Sequence, residues 1–455
     1  MGNSLAALGE PEFRKLFIGQ ATSVVGSMFR VVALPFAVLA IGGTATDIGI
    51  VEAAGLIPLV VLVLLGGVWA DRLPRRTVML AADAGRTVLQ LAAAALLVAG
   101  VAQVWQLAVL QVGMGVCEAF FGPAYTGLVP EVVSPRRLQQ ANALQGLVSS
   151  GSITLGAFLA GMLVAAVGPG WAIGIDGLSY LASAWFLLRL RPPAFLGRPG
   201  GKAAQAGPAR GLAGEEPTVD GVATAGGRAF FRDLADGWRE FTSHTWIWVM
   251  VAGAALFLFA IQGPIQVLGP IVARDVYDGA RTWGLTSAAM GLGQIAGGLL
   301  SLRWRPRRPM LVIAAGMSLT ALPVALLALE APVWMLYVAM ATVGVEWGLY
   351  DPFWLTCMQR EVAADMISRV SAYDYFGVLA FYPAGLALAG PLADAFGRST
   401  LLWVSAGVAI LVTVFQLAWR DVRAPHAMRP AEPQAPPPAP SRALPARRAT
   451  PAGRG

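Results

Sequence analysis

Long apolar runs separated by short polar or basic turns recur twelve times along the chain, at 17–41, 48–70, 78–100, 104–126, 143–167, 170–189, 246–268, 281–302, 309–329, 333–355, 371–391 and 400–419. About 20 residues of α-helix span a ~30 Å hydrocarbon core, so each run predicts one membrane-crossing helix. The connections GGTATD (42–47), VAQ (101–103), GPG (168–170) and EAP (330–332) are short, which makes successive helices antiparallel neighbours. The basic turn GGVWADRLPRR (66–76), after the second run, returns as GLLSLRWRPRR (298–308) after the eighth. Pro123 and Pro352 stand 229 positions apart, as do Gly156 and Gly385, and Gly161 and Gly390. The pattern predicts an all-α polytopic membrane protein with twelve transmembrane helices in two pseudo-symmetric six-helix bundles, over 1–189 and 246–420.

Two segments fall outside that pattern. Residues 190–245 form a central linker, and its stretch 191–227 is rich in Gly, Pro and Ala, a composition that predicts disorder. At 229–244, Phe230, Leu234, Trp238 and Phe241 share one helical face. This amphipathic helix is expected either to lie in the membrane interface or to pack on the neighbouring loops. The tail 421–455 carries APPPAP (435–440) and several arginines and is expected to be a disordered extension.

Composition narrows the class. The chain is 56% hydrophobic and 13% charged, against about 25% charged in soluble domains. Its net charge of +7 does not form a solvated basic face, so a nucleic-acid partner is not expected. Nearly all Lys and Arg outside the runs lie on the side that holds the N-terminus; the opposite loops carry Arg274, Arg281 and Arg398. That bias predicts a multi-pass inner (cytoplasmic) membrane protein with both termini and the linker in the cytoplasm. The first run is too long for a signal-peptide core. Cys117 and Cys357 lie in or beside spans and read as small buried apolar residues rather than a disulfide framework. His244 and His426 both lie outside the spans, so no histidine-based metal or catalytic centre is expected. GLGQIAG (291–297) lies inside span eight, where close helix packing explains the glycines better than phosphate binding. No cofactor is expected.

Polar residues inside the spans carry the candidate chemistry. Span one has Gln20, Ser23, Ser27 and Arg30 on one face; span four has Gln111, Glu118 and Tyr125; span seven has Gln262 and Gln266; span ten has Thr342, Glu346 and Tyr350. A charge at mid-membrane costs roughly 3 kcal/mol or more, so Arg30, Glu118 and Glu346 are expected to face water or one another. At ~1.5 Å per residue, Arg30 and Glu118 both fall near mid-depth, close enough in height to pair. Glu118 then has three readings: a proton-exchanging acid, half of a fixed ion pair, or a substrate contact. Asp83 and Arg86, three apart near the end of span three, are expected to form a local salt bridge joined to the basic turn. Asp176, in the outer third of span six, either gates the outer side or supplies packing polarity. In the basic turn, Gly67 lets span two pack closely. Asp71, with Arg72, Arg75 and Arg76, either latches another helix's N-terminus or serves only as a topogenic charge cluster. In the second copy Leu302 replaces the aspartate. Aromatic residues such as Phe121, Tyr125, Trp347 and Tyr350 accompany the polar faces, which suits a lipophilic solute, neutral or cationic.

The turn at 67–76 matches, with Pro74 in place of a glycine, the loop signature G-x-x-x-D-R-x-G-R-R of the major facilitator superfamily. The chain resembles that superfamily over 10–420. FFGPAYTGLVPEVV (120–133), RLQQANAL (137–144) and DGLSYL (176–181) are similar to its drug-efflux branch, which holds macrolide-efflux proteins and the enterobactin exporter. The resemblance implies that spans one, four, seven and ten line a central cavity, and that Asp71 meets span eleven near 369–374. It implies a secondary transporter working by alternating access, with proton-coupled antiport and export of a lipophilic drug or natural product as the leading reading. A uniporter or importer of a small metabolite is the alternative, and a membrane-embedded enzyme fits poorly. The expected partners are a small-molecule substrate, protons and the lipid bilayer, around a monomer. Two departures bear on coupling: Ala157 stands where the family often has proline in span five, and Ala108 where span four carries an arginine.

Overall fold

The computed structural model describes residues 6–70, 73–191, 237–363 and 366–424, with backbone alone for 6, 63–70, 135, 139, 143 and 368. Twelve membrane-length helices follow one another in it. Spans one to six are Pro11–Ala40, Ala45–Ala70, Arg75–Val98, Val104–Val132, Leu138–Val167 and Pro169–Arg189. Spans seven to twelve are Thr245–Val276, Gly279–Arg303, Pro309–Ala328, Val333–Glu361, Arg369–Phe396 and Arg398–Ala418. Several run past the apolar stretches that predict them. Span four continues to Val132 and span ten to Glu361, because a helix does not stop where hydrophobicity does and its polar end projects beyond the hydrocarbon.

Three spans are interrupted, each just ahead of a proline. Span seven passes through a π turn at Leu258–Gln262 before Pro264. Span nine tightens to a 3-10 turn at Ser318–Thr320 before Pro323. Span eleven breaks between Leu379 and Tyr382, with Pro383 next. Proline supplies no N–H to the carbonyl four residues back, and in all three spans that carbonyl lies in or at the edge of the irregular turn.

Packing divides the helices into two halves. Span one packs on five and six, two on four, and three on four and six; in the second half eight packs on ten, nine on twelve and seven on eleven. Two interfaces join the halves: span five with eight, and span two with eleven. The repeated glycines do the same work in both copies. A Cβ on Gly156 would lie 2.7 Å from Met28 of span one, and one on Gly385 would lie 2.3 Å from the Phe259 carbonyl of span seven. The second pair crosses between halves: a Cβ on Gly161 would meet Ala280 and Gly284 at 2.7 and 2.8 Å, and one on Gly390 would meet Thr46 at 2.2 Å. Spans eight and ten interlock through Gly293, Gly297, Gly344 and Gly348, each facing the other helix's backbone. The glycine run 291–297 is thus a helix-packing device.

These inter-half contacts lie toward the side away from the termini. Thr46 there donates to Asp394 across the span two–eleven interface at 3.1 Å. Nearer the termini, Gly146 and Gly151 of span five and Gly298 of span eight have nothing before them within 4 Å. The halves meet on the far side and diverge toward the side that carries the termini. Residues 237–243 are helical, and Tyr373 of span eleven meets the Trp238 ring edge-on at 5.5 Å and the Phe241 ring at a tilt at 6.0 Å. This part of the linker helix docks on a span; the remainder, 229–236, the disordered stretch expected over 191–227 from residue 192 onward, and the tail from 425 lie outside the described residues.

Candidate substrate and coupling site

Buried charge concentrates in the first half. Arg30 of span one reaches Glu118 of span four at 3.3 Å and Asp176 of span six at 4.0 Å. Asp176 is fully buried and accepts a hydrogen bond from Gln90 of span three at 2.6 Å. It therefore belongs to the Arg30 cluster rather than to an outer gate. Asp83 pairs with Arg86, as its spacing predicts. Among the described residues of the basic turn, none forms an ion pair with it. The Arg86 guanidinium lies between the rings of Phe121 and Tyr180, at 4.0 and 4.3 Å, and the Tyr180 hydroxyl bonds Ser27 at 3.0 Å. Removing these charges from water is costly unless each finds an opposite charge and hydrogen bonds. Four helices supply them, with cation–π contact to Arg86 in addition.

The described arginines of the basic turn are spent within the same half. Arg75 donates to the Gly127 carbonyl at 2.5 Å and to Glu131 at 2.9 Å. Arg76 donates to the Leu187 and Leu188 carbonyls, at the end of span six, where a cation meets the negative end of a helix dipole. Asp71 and Arg72, and any side-chain setting for Gly67, lie outside the described residues.

A cavity of about 240 Å³ opens between the halves beside the Arg30 cluster. Arg30, Glu52, Gln111 and Glu118 line it from the first half, and Gln266 and Tyr382 from the second. Leu56, Leu59, Met114 and Leu386 make its wall apolar. Arg30, Glu118 and Gln266 thus come together as the sequence suggests. Glu52 is a member that sequence reasoning passed over. With span two begun at 48 it looks interfacial; the helix begins at Ala45, which sets Glu52 two turns inside. An acid at that depth is a functional candidate by default.

The other candidates lie elsewhere. Tyr125 lines a separate cavity of about 200 Å³ with Phe17, Gln20 and Gln145. Gln262 sits in the π turn of span seven. Glu346 does not face the cavity. It is 6% exposed and packs on span nine, where a Cβ on Gly316 would fall 2.4 Å from its Cγ. The same contact exists in the first half between Gly85 and Cys117, at 2.8 Å. Glu346 is therefore the mate of Cys117, and Trp347 is the mate of Glu118. One residue turns a helical side chain by about 100°, enough to carry the acid from the cavity to the neighbouring helix. The aromatic stacks keep that register: Phe121–Tyr125 at 6.1 Å and Tyr350–Trp354 at 6.0 Å. Trp354 also donates to Asp374 at 3.0 Å. Among the described residues no basic side chain pairs with Glu346, Asp351 or Asp374.

Two six-helix halves around a shared polar cavity, closed at one end and parted at the other, define a membrane transporter rather than an enzyme. The family model of the Major Facilitator Superfamily matches residues 16–378, and the chain belongs to that superfamily. Its relatives include the multidrug efflux pump Tap of Mycolicibacterium fortuitum, 29% identical over 420 residues that cover 88% of this chain and 94% of the pump. Macrolide efflux protein A of Streptococcus pyogenes is 21% identical over 412 residues, 89% of this chain and 94% of its own. Among solved structures, the nucleoside transporter NupG superposes with a TM-score of 0.61 at 15% identity, covering 90% of this chain and 98% of its own. An inward-facing, unoccupied bacterial homologue of the human lysosomal transporter Spinster gives 0.62 at 15% identity, covering 92% and 98%. At these identities the structural likeness shows the fold alone.

Proposed function

We propose that the protein exports lipophilic small molecules in exchange for protons, with Glu118 as the exchanging acid. One observation carries this reading: the Arg30–Glu118 pair stands in the wall of a cavity that both halves share. Of the two acids on Arg30, Asp176 is sealed, whereas the Glu118 side chain is 28% exposed, so water can reach Glu118. Substrate and proton occupy the site in turn: a proton on Glu118 frees Arg30, substrate entering the cavity displaces that proton and restores the pair, and alternating access moves the two in opposite directions. The efflux relatives support a lipophilic substrate. The basic bias supports cytoplasmic termini, which turn the open side toward the cytoplasm, where an exporter loads.

The test is proton movement driven by substrate in liposomes, across a panel of lipophilic compounds. Glu118→Gln keeps shape and hydrogen bonding but cannot exchange a proton. It is expected to lose uphill transport while keeping substrate counterflow without a proton gradient. Uphill transport at the wild-type rate in this variant would remove Glu118 from the coupling role.

A further inference from the structure

We infer that Glu52 is the residue through which the buried charge cluster of the first half controls closure of the far side, by competing with Glu118 for Arg30 while facing the second half. The inference rests on the proposed exchange at Glu118 and adds the step that turns it into movement.

Glu52 projects from span two into the cavity. Arg30 of span one acts on it electrostatically, and Gln266 of span seven and Tyr382 of span eleven face it from the other half. Its Oε1 is buried with no hydrogen-bond partner, and so is Arg30 Nε. One guanidinium pairs with two carboxylates, Glu118 and Asp176, and lines the same cavity as a third, Glu52, beside Gln266 and Tyr382 of the opposite half. Glu118 in turn faces Arg30, Asp176 and Tyr180 within its own half and Tyr375 of span eleven. The position of Glu52 matters because span two is one of the two inter-half seams. Gly49, three residues before it, meets the Leu386 carbonyl, and Thr46 bonds Asp394. If the halves part on the far side, Glu52 loses Gln266 and Tyr382 and gains water.

The sign follows from that geometry. In the structure Glu118 holds Arg30 with the far side closed, a state that tolerates Glu52 only while Glu52 carries a proton; a charged Glu52 there is an uncompensated carboxylate in a closed seam, which opposes closure. When Glu118 takes a proton, Arg30 is released toward Glu52, the carboxylate is compensated and the seam closes. Proton binding from the far side thus returns the protein to the state open on the side of the termini, as antiport requires.

The experiment needs no substrate, so it stands apart from the transport assay. Spin labels at Val167→Cys and Ala395→Cys, exposed far-side positions in opposite halves, are placed in a chain carrying Cys117→Ala and Cys357→Ala. Their distance distribution is followed as pH is lowered. The full-length protein is expected to shift toward the short distance as pH falls. Glu118→Gln should favour the short distance to the same extent at every pH, still exchanging between the two states, and Glu52→Gln should abolish the pH response. Glu52→Asp, which keeps the charge, should restore the direction with smaller amplitude. A pH response that survives in Glu52→Gln overturns the inference. A response that survives in Glu118→Gln overturns the competition for Arg30. If the distances behave as expected but liposomes show no proton exchange with substrate, the failure belongs to the export reading instead.

Discussion

A single methyl group at Gly284 should prop the far side open. Gly284 lies where span eight meets span five. A Cβ there would sit 2.6 Å from the Gly161 Cα, 2.7 Å from the Ala157 carbonyl oxygen and 3.0 Å from the Gly161 nitrogen. All three are backbone atoms of a helix, with no flexible side chain to yield. Optimal carbon contacts lie at about 3.5–4.0 Å, so the two helices must separate by about 1 Å. Overpacking of this kind typically costs about 1–3 kcal/mol. The cost falls only on the state in which the far ends touch, so Gly284→Ala should shift the closed-to-open ratio by about 5- to 150-fold. Pulsed distance measurements between labels at Val167 and Ala395 read that ratio directly. Gly161→Ala, with its Cβ 2.7 Å from the Ala280 carbonyl, should act in the same direction. Unchanged distances in both variants would show that this glycine contact does not set the closed state.

Three further outcomes are expected. Asp83→Asn leaves the Arg86 charge buried without its counter-ion and should cost about 3–5 kcal/mol, read as a lower thermal unfolding midpoint in detergent; an unchanged midpoint would mean that the two aromatic rings suffice to hold Arg86. Glu346→Gln removes a buried acid that no described base compensates, so stability should hold or rise, and the pH profile of transport should match the parent; a shifted profile would return Glu346 to the coupling site. In intact cells an impermeant thiol reagent should modify Gly279→Cys and spare Arg210→Cys, and the opposite pattern would invert the orientation.

The helices were legible because a bilayer demands long apolar runs, and the duplication because glycines that let backbones touch cannot vary freely in size. Gly156, Gly161, Gly385 and Gly390 mark the seams of the fold, two within halves and two between them. The ion pair of Arg30 with Glu118 was also legible, since each charge sits at mid-depth and each needs a partner. Glu346 was misplaced because its resemblance to Glu118 in type was given more weight than its register. The 229-residue offset that aligns Pro123 with Pro352 aligns Glu118 with Trp347, and the packing of Glu346 on Gly316 agrees with that offset. Glu52 was missed because hydropathy places helix ends within about 2–4 residues, and that margin separates an interfacial acid from a buried one. Which end of the cavity is closed has no sequence signature, because the same glycines must serve every state of the cycle.

The distribution of buried charge also bears on how the protein is made. Arg30 pairs with Glu118 and Asp176, and Asp83 with Arg86, and all five belong to the first six spans. Chains fold from the N-terminus as they are synthesised, at about 5–20 residues per second. The first half can therefore neutralise these charges in the bilayer before the second half leaves the ribosome. Glu52 is different: Gln266 and Tyr382, which face it, arrive more than 200 residues later. Through that interval it must remain hydrated or protonated, so the last polar contact of this cluster to form during biogenesis is the one that joins the two halves.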